Sequence, residues 1–165
     1  MSVLKLSGGS TIAAISLAVA LLASPLTAQP AAKTILTLTG GTIAFAPPTA
    51  DDYDAGYKDS PTGVTFTINA QTGASRTTTI LIRSTSASLG GGKAIGELQW
   101  RRSDLAVWNS VTLTDAQVEQ RVQVRNGLDD PWSNTIFFRM LLNWTTDPPA
   151  TYTGNYVITL AQTVP

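Results

Sequence analysis

Residues 134–144 read NTIFFRMLLNW, the most apolar stretch outside the N-terminal segment. Side chains of an extended chain alternate between two faces. As a strand, this stretch sets Ile136, Phe138, Met140, Leu142 and Trp144 on one face. Phe137 and Leu141 fall on the other, beside Arg139 and Asn143. A strand that is apolar on both faces lies at the centre of a sheet or under a partner. Asp147, Pro148 and Pro149 end it.

The flanking sequence repeats the period of two. Residues 64–70 (VTFTINA) put Val64, Phe66 and Ile68 on one face and threonines on the other. That is the pattern of a half-buried strand. Residues 71–75 turn the chain, and residues 77–84 (TTTILIRS) return, so the two read as a hairpin. Residues 34–39 (TILTLT), 94–101, 107–113 and 120–125 are further strand candidates, and residues 152–162 close the chain. The stretch 42–46 is a short extended piece. Residues 47–63 hold prolines, glycines and acids without apolar periodicity and read as a loop. Residues 84–93, ending in Gly90-Gly91-Gly92, read as a second loop. Residues 115–120 suit one short helical turn capped by Thr114 or Asp115. About eight strands with no helix of ordinary length predict an all-β fold, an antiparallel two-sheet immunoglobulin-like β-sandwich. A closed barrel is the alternative.

Residues 1–28 have the three parts of a secretory signal peptide. Lys5 supplies the positive start, residues 12–23 form an apolar run broken only by Ser16, and the segment closes on Ala28. A retained anchor is the rival reading, but the run is short of the roughly 20 apolar residues a span needs. With no cysteine there is no lipid-attachment site and no disulfide. Residues 29–165 are then a single β-sandwich domain, periplasmic, on the cell surface or extracellular in a bacterium. Eleven basic and eleven acidic residues balance in the whole chain, so loss of Lys5 leaves 10 − 11 = −1. A near-neutral surface has no electrostatic footprint for nucleic acid, and no transmembrane segment follows the signal.

Composition removes several chemistries. Without His and Cys there is no Ser-His-Asp triad, no cysteine nucleophile and no ordinary zinc, copper or haem ligand set. Gly90-Gly91-Gly92 is not followed by the helix of a phosphate loop. Carboxylates remain. Glu97 and Glu119 are the candidates for a carboxylate-based hydrolase, which needs two acids across a cleft. Asp51, Asp52, Asp54 and Asp59 form the candidate calcium cluster, since calcium takes several oxygens from a flexible loop. Otherwise they are a solvated loop, and no cofactor is expected. Of the four tryptophans, Trp100 and Trp144 fit inward positions, Trp108 starts its strand, and Trp132 follows a proline in a turn. Trp132 is therefore the exposed candidate for stacking on a sugar. Trp100-Arg101-Arg102 is either an anion-binding cluster or a solvated strand end. Asn143-Trp144-Thr145 matches an N-glycosylation pattern that seldom has meaning in bacteria.

Three stretches carry a resemblance. They are Ile43-Ala44-Phe45, then Asp54-Ala55-Gly56 before the alternating strand that starts at Gly63-Val64, and a final strand led by Pro149 and Tyr152. In this order of features the chain resembles bacterial spore coat U-like and pilin-like secreted β-sandwich domains, without the cysteines those often carry. The resemblance implies a non-catalytic structural or adhesive surface protein, a fibre subunit that self-assembles or joins other surface proteins by donating a strand. Residues 33–39 would be the donor, unless they pair within their own domain. A secreted module that binds carbohydrate or protein is the alternative function.

Overall fold

The computed structural model describes residues 34–40, 43, 45–150 and 152–163. The expected signal peptide lies outside them. Among the described residues no helix is long and apolar enough to cross a membrane.

The chain runs β1 (Thr34–Thr39), α1 (Ala50–Ala55), β2 (Tyr57–Asp59), β3 (Val64–Ala70), β4 (Arg76–Ser84), β5 (Ser88–Gly90) and β6 (Lys93–Ala94). After a 3-10 turn (Ile95–Glu97) come β7 (Leu98–Arg102), β8 (Asn109–Ser110), β9 (Ala116–Gln123), β10 (Trp132–Leu141) and β11 (Tyr156–Thr163). All strand pairs are antiparallel. A six-stranded sheet has the order β1-β3-β10-β7-β8, with β2 also on β10. A three-stranded sheet has the order β11-β4-β9, and β5-β6 is a separate hairpin. The all-β expectation therefore holds.

β10 is central, as its two apolar faces required. Ile136 and Phe138 are fully buried and Met140 nearly so, while Phe137, Arg139 and Leu141 are half-buried on the opposite face. Val64, Phe66 and Ile68 of β3, Ile80 and Ile82 of β4, Trp100 of β7, Val118 of β9 and Ile158 of β11 join the same core. Side chains of both larger sheets thus share one apolar interior. Burying each large side chain stabilises the fold by about 1.5–3 kcal/mol.

Several local expectations are corrected. β3 and β4 are not a hairpin. β3 pairs β1 and β10, whereas β4 crosses to the other sheet and pairs β11 and β9. Both strands bury alternate residues, so periodicity alone could not separate pairing from crossing over. The 47–63 loop contains α1 and β2. Thr49 and Asp52 form a reciprocal capping box, and Gly56 closes the helix with φ 77°. Six residues are too few to show a helical period, so the capping residues specify this helix. The 84–93 loop contains β5, and β6 begins at its last residue. Its turn needs glycine, because Gly90, Gly91 and Gly92 all have positive φ.

Residues 116–120 of the helical turn expected at 115–120 belong to β9. Register steps from Ile80–Glu119 to Leu81–Gln117, so Val118 is the extra residue of a β-bulge. The bulge buries Val118 and Glu119 in succession and breaks the alternation. The strand expected at 107–113 shrinks to Asn109–Ser110, and the final strand begins at Tyr156.

Candidate functional site

The four aspartates of the calcium cluster are drawn apart. Asp52 caps α1 and accepts from Lys58 Nζ at 2.6 Å. That lysine, with the Thr49 backbone N–H, holds the Asp52 carboxyl down at about 2. Asp54 accepts from Trp144 Nε1 at 2.9 Å, and Asp59 of β2 lies 3.3 Å from Arg139 Nε. Asp51 stands in the first turn of α1, exposed. Among the described residues, no group of three or more His, Cys, Asp or Glu could hold a metal ion.

The two hydrolase candidates belong to separate ion clusters. Glu97 accepts from Lys93 Nζ and from the Ala94 N–H. The Lys93 side chain is wholly buried, and its Nζ also donates to Asp147 at 2.7 Å. Burial opposes the lysine's charge, but Asp147 and Glu97 outweigh it and raise its pKa. Asp147 in turn accepts from the Asn143 N–H at 2.8 Å. Glu119, turned inward by the bulge, accepts from Arg121 Nε at 2.7 Å and from Asn134 at 3.3 Å, with Arg102 Nη1 at 3.4 Å. Arg102 also donates to Asp104, and that contact holds the Asp104 carboxyl down at about 2. These contacts tie β9 to β7 and β10.

The tryptophan expectations exchange places. Trp132 is 5% exposed, edge-on to Phe66 at 5.5 Å, with the Arg121 guanidinium 4.7 Å from its ring. Trp144 is 60% exposed and stacks on Tyr53 at 4.6 Å. The reason is where β10 begins and ends. Trp132 has the same parity as Ile136 and starts the strand, whereas the chain leaves the sheet after Leu141, before Trp144. Trp100 is buried as expected. Asn143 Oδ1 accepts from the Thr145 N–H at 2.8 Å and so braces its own turn.

The outer face of the six-stranded sheet carries a cluster whose members come from separate stretches of the sequence. Arg101 of β7 lies 5.3 Å from the Phe137 ring and 5.0 Å from the Trp108 ring. Arg139 of β10 lies 3.8 Å from Trp108 and 4.2 Å from Tyr57. Rings and guanidinium groups therefore alternate in the order Phe137, Arg101, Trp108, Arg139, Tyr57. Register explains part of the assembly: Arg101 pairs with Phe137, Arg139 with Asp59, and Leu141 with Tyr57. The Trp100-Arg101-Arg102 run is thus split by the pleat. Trp100 goes inward, Arg101 joins this row, and Arg102 binds Asp104. A depression of about 100 Å³ beside the row is lined by Asp59, Ser60, Arg101, Trp108, Phe137 and Phe138. The sequence signal was the shared parity of Phe137 and Arg139.

Compared with protein families, curated proteins and solved structures, the chain matches none.

Proposed function

We propose that the protein is an exported, non-catalytic structural or adhesive surface protein, in which two sheets form an immunoglobulin-like sandwich and β1 is an exchangeable strand. The observation that carries this reading is a pair of uncharged sheet edges that meet. β1 ends one sheet and β11 ends the other, and neither contains a charged residue. Gln162 Nε2 of β11 donates to Thr34 Oγ1 of β1, so the two edges adjoin. Edges of monomeric proteins are commonly guarded by charge, prolines, bulges or short length. The opposite edges here are guarded in this way: β8 has two residues, and β9 carries a bulge and Glu119.

β1 pairs with β3 from Thr34–Ala70 to Thr39–Thr65. No residue of β1 is fully buried, although Leu36 packs against the core. Its hold on the domain is therefore mostly main-chain hydrogen bonding, which the same segment of another copy can supply.

The test uses residues 29–165 and a variant lacking residues 29–39. Concentration-dependent ladders on native gels are expected for the first. The shortened chain should lose them, and a peptide of residues 33–39 should restore its stability as a monomer. A monomer at every concentration, with no peptide rescue of the shortened chain, would rule out strand exchange.

A further inference from the structure

We propose that the depression beside Arg101 binds an acidic sugar, a pyranose bearing a carboxylate, as in a polyuronate chain. This inference stands independently of strand exchange.

Arg101 is the starting point. Its Nη1 donates to the carbonyl oxygens of Leu105 at 3.1 Å and Arg102 at 3.4 Å. Among the described residues, no hydrogen bond engages its Nε or Nη2, and no carboxylate pairs with it. By contrast, Arg102, Arg121 and Arg139 each have an acidic neighbour. One guanidinium on this face is therefore left without a counter-charge, and its Nε–Nη2 edge has the spacing of a carboxylate.

The surroundings fix that edge in place. Phe137 and Trp108 lie against the guanidinium, and the carbonyls of the 102–105 turn hold its far end. A group held beforehand loses little freedom on binding. The other walls suit a sugar ring. Asp59 supplies carboxylate oxygens that accept from hydroxyl groups, and its side chain is 55% exposed. Ser60 adds a polar rim, while Trp108 and Phe137 form an apolar wall for C–H groups. The depression, at about 100 Å³, accommodates part of one ring, so a chain would lie across it. A bare anion would leave the apolar wall and the hydroxyl-accepting oxygens of Asp59 unused, and a neutral sugar would leave Arg101 without a counter-charge. The acidic sugar satisfies both.

The experiment titrates the chain of residues 29–165 with trigalacturonate, a neutral trisaccharide of galactose, and sodium acetate. Trp108 indole N–H shifts are followed by NMR, assigned with Trp108→Phe. Trigalacturonate is expected to bind at least tenfold more tightly than either other probe. Arg101→Gln should weaken it about tenfold or more, while Arg125→Gln, which removes an exposed arginine from the 123–131 turn, should leave it unchanged. Circular dichroism checks that the variants fold. If Arg101→Gln does not fold, Arg101→Lys decides, because lysine keeps the charge but lacks the planar fork. The proposal is overturned if trigalacturonate does not bind at millimolar concentration or the neutral trisaccharide binds equally. It is also overturned if acetate alone reproduces the affinity, or if the folded Arg101 variant binds like the wild type.

Discussion

Replacing Asp147 by Asn tests how the Lys93 cluster contributes to stability. The Lys93 side chain is fully buried, and Asp147 is its more buried partner, with 5% of its side chain exposed. Removing one member of a buried ion pair costs about 3–5 kcal/mol, because the other charge is left unmatched in a poorly polarisable interior. Glu97 remains beside Lys93, but its side chain is 36% exposed, so solvent screens that contact. An exposed pair retains at most about 1 kcal/mol. Asparagine still offers an oxygen to the Asn143 N–H. The expected loss is therefore about 2–4 kcal/mol. Urea denaturation slopes for small domains are about 1–3 kcal/mol per M, so the midpoint should fall by about 1–2 M. The double variant Lys93→Met with Asp147→Asn removes both buried charges and should be more stable than Asp147→Asn alone. A midpoint shift of under about 0.3 M for Asp147→Asn, which at these slopes is below ~1 kcal/mol, would refute the reasoning. So would a double variant whose loss equals the sum of the single losses, since members of one ion cluster should not add.

Three further outcomes are expected. Gly63→Ala should cost about 1–3 kcal/mol by overpacking and lower the thermal midpoint in circular dichroism, because a Cβ there would meet Thr135 Cγ2 at 2.5 Å and the Ile136 carbonyl at 2.9 Å. Asp52 and Asp104 titrate at about 2 in the fold against 3.8 ordinarily, so their stabilisation is present above pH 3.8 and disappears as pH falls through about 2. Urea midpoints measured from pH 5 to pH 2 should fall, and Asp52→Asn should flatten that slope. Iodide should quench Trp144 and spare Trp132, so Trp144→Phe should remove much of the quenchable emission while Trp132→Phe leaves it.

The sequence made the strands legible where one face is buried and the other is wet. Val64, Phe66 and Ile68 announced β3, and the doubly apolar 136–142 region announced a central strand. It did not disclose which strand pairs with which, because alternate burial is the same for strands in one sheet and in two. β9 resembles a helical turn at its start because Thr114 or Asp115 can cap one, and its bulge, which buries Val118 and Glu119 in succession, interrupts the alternation that marks a strand. α1 was hidden for a different reason: its signal lies in Thr49, Asp52 and Gly56 rather than in apolar spacing. The exposure of Trp132 and Trp144 depended on where β10 starts and stops, and a shift of two residues at its start and three at its end reversed it. The Arg101 row was the least legible part. It draws on β2, β7, β10 and the 103–108 turn, so its members are neighbours only after the register is set.

The bulge at Val118 also restricts where the sheet can grow. A strand that approaches β9 meets an irregular ladder and a carboxylate already held by arginines, so continuous pairing along that border is interrupted. β8, with two residues, offers too little backbone to hold a neighbour. The long regular borders are β1 and β11, which adjoin each other. Copies joined by strand addition would therefore meet along one flank of each molecule. Growth confined to one flank disfavours a layer that spreads in two dimensions.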